Sequence, residues 1–180
     1  LGYTVVLTAR DEQAGAAAAA ELVAAGGDAR SVRLEVTDPG DIASVARYLE
    51  TTFGKLDVLV NNAGIAPEWD GKPTSTDKIR RVLEVNLIAP YAITEALVPL
   101  LSRSNDARVI NHSSTLGSMG LAERLWDQVG GFMTVGYATS KAGLDMLTLI
   151  LSKTLASQGI AVAAAHPGWV KTDLGSQAAP

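Results

Sequence analysis

At 180 residues the chain has the length of one ordinary domain, enough to bury a full hydrophobic core. Its 47% hydrophobic and 19% charged residues exclude a disordered chain, and 15 Lys+Arg against 19 Asp+Glu, a formal net charge of -4, argue against a broad basic face for nucleic acid. With Cys at 0 there is no disulfide framework, thiolate metal site or cysteine nucleophile, and no continuous apolar run approaches the roughly 18 residues that span a bilayer. The expectation is a soluble, cytoplasmic protein that uses neither membrane nor nucleic acid.

In chain order, Tyr3 to Thr8 predicts a strand, and the Ala-rich run from Asp11 to Ala25 predicts a helix that stops at Gly26-Gly27. Ala29 to Leu34 is the next strand. Asp38 then supplies an N-cap ahead of Pro39, starting a helix that runs to about Phe53. Leu56 to Val60 is a near-continuous apolar run, as for a strand covered on both faces. Thr76 to Arg103 reads as one long helix bent near Pro90, which cannot supply an interior backbone N–H. Val109 and Ile110 centre a further strand, Tyr137 to Ser157 a long helix, and Ile160 to Ala165 a last strand. Strands alternating with helices, without repeat or linker, predict one α/β domain over 1–180: a three-layer, doubly wound parallel sheet.

In such sheets ligands bind beyond the carboxyl ends of the strands, so the residues after each strand matter most. These are Thr8-Ala9-Arg10, Asn61-Asn62-Ala63-Gly64, Asn111-His112-Ser113-Ser114 and His166-Pro167-Gly168, with a YxxxK, Tyr137 to Lys141, opening the helix between the last two. Each alone has an ordinary structural explanation. In combination, with Val85-Asn86 in the preceding helix, they resemble the short-chain dehydrogenase/reductase family in order and approximate spacing over nearly the whole chain.

The resemblance implies a nicotinamide-cofactor Rossmann fold and hydride transfer to or from a carbonyl. It makes Tyr137 the general acid/base and Lys141 the amine one helical turn away that lowers the phenol's pKa and meets the nicotinamide ribose. Ser114 would hold the substrate oxygen, and Asn86 a water in the proton relay. An ammonium roughly 4 Å from a phenol supplies about 4 kcal/mol at an effective dielectric near 20, enough for the depression a base near neutrality needs. Cofactor contacts are implied at Arg10, Glu35, Val36, Asn62, Ala63, Gly64, Tyr137, Lys141, Pro167, Gly168, Val170 and Thr172. Arg10, beside Ala9 where NAD-preferring relatives carry an acid, points to NADP rather than NAD. Glu35 departs from the family's Asp, so a backbone contact is the better expectation there, and Asp38 reads as a helix cap.

The family's glycine-rich TGxxxGxG loop is not found in these residues, and the chain opens on Leu1. The expected object is therefore an incomplete Rossmann domain lacking the first central strand and the last strand, an internal piece of a longer enzyme. The stretch between Ser114 and Tyr137 is longer than in many relatives. Its apolar members, Leu121, Leu125, Trp126 and Phe132, are expected to shape a pocket for a carbonyl or alcohol substrate with a hydrophobic body, with a solvent-exposed excursion as the alternative. Relatives pair through their two long helices, so a homodimer or homotetramer is implied, with Leu97, Leu144, Leu147 and Leu151 serving either interface or core.

The alternatives are weaker. A hydrolase would recruit Ser114, His166 and Asp173, but neither serine sits in a G-x-S-x-G elbow. His112 and His166 form no H-E-x-x-H pattern, so no metal is expected, and both read as strand-end histidines bonded to backbone. The main competitor is a cofactor-binding or truncated relative without turnover.

Overall fold

The computed structural model describes residues 2–124, 126–129, 134–168 and 170. It divides into two compact units, Leu1–Phe53 and Gly54–Pro180.

In the first unit, β1 (Thr4–Ala9), α1 (Glu12–Ala24), β2 (Asp28–Arg33) and α2 (Pro39–Phe53) follow the expected order. β1 and β2 pair in parallel, with Thr4 opposite Asp28. Asp11 caps α1 by accepting from Gln13 and Ala14 N–H at 2.8 and 3.0 Å. Asp38 starts α2 in the same way, accepting from Gly40 N–H at 2.7 Å and Asp41 N–H at 3.2 Å. Ile42, Val45 and Leu49 form the buried stripe of α2.

The second unit is a parallel sheet ordered β3 (Val58–Asn61), β4 (Ala107–His112), β5 (Ile160–Ala165). Among the described residues β1 and β3 belong to separate sheets. Parallel sheets flanked by helices make this a partial Rossmann fold.

The helix expected over Thr76 to Arg103 is present in three parts: α3 (Thr76–Leu83), a π-helical turn (Glu84–Ile88) and α4 (Ala89–Leu101). The wide turn lies just ahead of Pro90, where the missing N–H interrupts the regular ladder. By length and composition this run could cross a membrane. It also buries Val82, Asn86, Thr94, Leu97 and Leu101 within the unit, as a core helix does.

β4 alternates, burying Ala107, Val109 and Asn111. β3 departs from expectation: Val60 is 53% exposed, so the strand is not covered on both faces. Its apolar run could not reveal which faces tertiary packing would cover.

Between sheet and helices lies a buried polar chain not anticipated from sequence. Asn61 Nδ2 donates to Asn111 Oδ1 at 2.8 Å and to Thr94 Oγ1 at 3.2 Å, and Asn111 Nδ2 donates to Thr148 Oγ1 at 2.8 Å. The two asparagines are register partners on adjacent strands. Asn111→Ala should destabilise the protein by about 1–3 kcal/mol, because it strands the Asn61 amide in the core. Urea unfolding checks this, and a cycle with Asn61→Ala should be less than additive; full additivity would show that the two amides act independently.

Candidate active site

α7 (Val135–Thr154) carries both residues of the YxxxK. Tyr137 and Lys141 are buried, at 7% and 4% exposure. The 3-10 turn Thr115–Gly117, which follows β4, lies directly on the backbone of α7. A Cβ on Gly117 would stand 2.6 Å from Lys141 C and Ala142 N, so only glycine permits this approach. Ser114, at the start of that turn, is thereby brought to the helix that carries Tyr137.

Lys141 Nζ donates to the His112 carbonyl at 2.6 Å and lies 5.6 Å from the centre of the Tyr137 ring. A Cβ on Gly64 would stand 3.7 Å from Asn86 Oδ1 and 3.8 Å from Lys141 Nζ, so the Asn-Asn-Ala-Gly segment meets both. Asn86, in the π turn, accepts from Ile65 N–H at 2.8 Å and donates to Ile65 O at 2.9 Å and Ser140 Oγ at 3.1 Å. Ser114, Tyr137, Lys141, Asn86 and Gly64 are therefore brought together, by four separate elements of one unit.

The electrostatics run opposite to the simple expectation for the phenol. Burial raises Tyr137 above its ordinary value, and the nearby Ser114 hydroxyl opposes this only in part. Burial also pulls Lys141 down to about 8, against the attraction of Asp145. The amine is committed to a carbonyl, and with the phenol raised the site holds a protonated phenol near neutral pH.

Asn62 and Ala63 are exposed just beyond β3, as are Pro167, Gly168 and Val170 beyond β5. In the first unit, Arg10 is exposed immediately after β1. Glu35 turns its carboxylate back on Thr37, accepting from Oγ1 at 3.1 Å. Thr172 and Asp173 lie outside the described residues.

The stretch after Ser114 forms α5 (Met119–Arg124) and α6 (Trp126–Val129). Leu121 borders an open cavity of about 210 Å³ with Ser113, Ser114, Asp145 and His166. Trp126 is exposed, and Leu125 and Phe132 lie outside the described residues. The expected backbone bond of His112 is replaced by a side-chain contact, Nδ1 to Asn62 Oδ1 at 2.8 Å, because neighbouring strands end level there. No cluster of potential metal ligands occurs among the described residues. Leu97, Leu144 and Leu151 are core residues, whereas Met146, Leu149 and Ile150 form the exposed apolar face of α7.

One residue of the site went unrecognised in the sequence. Glu68, in the 3-10 turn Pro67–Asp70, accepts from Gly136 N–H at 3.1 Å and Tyr137 N–H at 2.9 Å. Neighbouring Trp69 packs its ring 4.8 Å from that of Tyr137. No spacing rule links this segment to α7; a Glu-Trp pair close after a ligand-loop motif was the available signal.

The profile described as short chain dehydrogenase matches residues 1–180. The 3-oxoacyl-[acyl-carrier-protein] reductase FabG of Escherichia coli is 32% identical over 173 residues, covering 96% of this chain and 66% of the relative. The (+)-neomenthol dehydrogenase of Arabidopsis thaliana is 31% identical, covering 96% of this chain and 76% of the relative. Against the first curated relatives, the chain spans only 57 to 66% of their length. The NADPH-bound carbonyl reductase from chicken fatty liver superposes with a TM-score of 0.84 at 34% identity, covering 96% of this chain and 71% of that one. Carbonyl reductase Sniffer of D. melanogaster gives a TM-score of 0.82 at 29% identity, covering 97% and 73%.

Proposed function

The chain belongs to the short-chain dehydrogenase family, and from that premise we propose that it acts in hydride transfer between NADP(H) and a carbonyl or secondary alcohol, with Tyr137 as general acid/base. The observation that carries this reading is the gathering of Ser114 and the Lys141 amine beside the buried Tyr137. The residues fit the nicotinamide-ribose half of a dinucleotide. The amine stands beside a close-packed glycine, next to exposed Asn62 and Ala63 at the strand ends, while a phosphate-cradling TGxxxGxG loop is not among these residues.

The cofactor, when bound, supplies the hydride to the carbonyl carbon. Ser114 hydrogen-bonds the substrate oxygen and holds it at the phenol. Tyr137 gives its proton to that oxygen as the carbonyl π pair moves onto it, so no free alkoxide forms. Lys141, when charged, stabilises the phenolate left behind. Asn86 fixes the Ile65 backbone against α7 and keeps Gly64 at the amine. The raised phenol pKa keeps the proton on Tyr137 until transfer.

NADP preference is supported by exposed Arg10 after β1, where a basic side chain can receive the extra phosphate. The carbonyl reductase with NADPH bound is a further support. Leu121 beside Ser114 favours a substrate with an apolar body, and the outward apolar face of α7 favours a homodimer or homotetramer. The test is oxidation of NADPH and of NADH by the full chain with ethyl acetoacetate and acetophenone as probe carbonyls, beside Tyr137→Phe. Turnover that survives without the phenol hydroxyl would contradict the assignment, and nucleotide binding without turnover would favour a non-catalytic cofactor binder. Arg10→Ala should lower the NADPH-to-NADH ratio of kcat/KM about tenfold, since it removes one charged phosphate contact. An unchanged ratio would move the phosphate contact elsewhere.

A further inference from the structure

We propose that Glu68 is a positioning residue for the acid–base site: its buried carboxylate, bound to the backbone N–H groups of Gly136 and Tyr137, sets where the phenol stands beside Ser114. This rests on the reading of Tyr137 as proton donor and adds to it a residue outside the motif.

α7 begins without help from its own N-cap side chain, since Thr134 makes no capping bond. A carboxylate 5% exposed takes that role from the other side of the site, where helix N–H groups and the positive end of the dipole favour an anion. Burial alone would raise the Glu68 carboxyl, but the hydrogen bonds it accepts outweigh this and hold the group below the usual carboxylate range. A Cβ on Gly136 would stand 2.6 Å from Glu68 Oε2, so the carboxylate would have to move to admit one.

More than a cap is involved. Ile65, three residues before Glu68, is held in both directions by Asn86. The Asn86 amide also donates to Ser140 Oγ, and Ser140 donates to the Tyr137 carbonyl at 2.7 Å. The segment from Ile65 to Glu68 thus closes a ring of hydrogen bonds that registers Asn86 against the first turn of α7. Trp69 completes it by packing on the phenol ring itself. Loss of the carboxylate frees the backbone N–H of Tyr137 and loosens the ring against which the phenol is aligned.

The experiment uses the full chain as wild type, Glu68→Ala, Glu68→Gln and Gly136→Ala, each with and without Tyr137→Phe. Ultraviolet titration of tyrosinate, taken as the difference between each variant and its Tyr137→Phe counterpart, isolates the Tyr137 midpoint and needs no turnover. Glu68→Ala should move that midpoint down towards ordinary tyrosine as water reaches the ring. It should also lower kcat with NADPH and ethyl acetoacetate about tenfold or more, with KM changed far less. Glu68→Gln, which keeps one acceptor oxygen, should recover part of both. Gly136→Ala displaces the carboxylate while leaving Glu68 in the chain, so it should reproduce the midpoint shift even if Glu68→Ala does not fold. If the folded variants lose only thermal stability and keep the wild-type midpoint and kcat, Glu68 is an ordinary helix cap and the proposal is wrong. Failure of the acid–base reading has a separate signature: reduction that persists in Tyr137→Phe, whatever the titrations show.

Discussion

Tyr137→Phe should lower kcat for NADPH-dependent reduction by about 10²–10⁴-fold, the usual contribution of a positioned proton donor. KM should change little, because the ring that packs on Trp69 remains and only the hydroxyl is lost. The stability cost should be about 1 kcal/mol or less, because one hydroxyl is lost from a ring that stays packed. This combination separates a chemical role from a structural one. A large loss of stability with kcat intact would make the buried phenol a core residue, and steady-state kinetics with thermal melts on the same preparations decide between them.

Lys141→Met should make the protein more stable and less active together. Burial pulls the amine from its ordinary 10.5 down to about 8, so holding it charged below pH 8 costs about 3 kcal/mol relative to an exposed lysine. The folded state binds this proton more weakly than the unfolded state, so stability rises with pH between about 8 and 10.5. The gain from Lys141→Met should therefore be full at pH 7 and disappear above the ordinary lysine range. Activity should show the other side of the same titration. In the wild type, kcat/KM for reduction should fall above about pH 8 as the amine loses the charge that stabilises the phenolate. Lys141→Met should lack that limb and be slow throughout. Melts at pH 7 and pH 10, with a pH–rate profile, test both. A wild-type profile flat well beyond pH 8, or a variant less stable at pH 7, would remove the buried amine from the mechanism. The pairing is a stability–activity trade-off localised to one side chain.

Much of this was legible in the sequence because it depends on local chemistry. Asp11 and Asp38 announce the starts of α1 and α2, since a short acceptor before a helical run satisfies free N–H groups wherever the helix sits. The four-residue step from Tyr137 to Lys141 dictates a shared helix face from backbone geometry alone. Pro90 marks the disturbance in the long helix, although not its form as a π turn.

What remained illegible depends on partners distant in sequence. Glu68 meets the amide of Tyr137, and Asn61 meets Asn111, through tertiary packing that no local pattern encodes. The direction of the Tyr137 shift belongs to the same class. Spacing placed a cation one turn away and predicted a more acidic phenol, but only the folded structure reveals how deeply both groups are desolvated and that the amine is engaged by the His112 carbonyl. Which residues can carry the chemistry is thus written in residue type and local spacing. Their protonation and alignment come from burial and long-range hydrogen bonds, because the dielectric around a side chain is a property of everything folded against it.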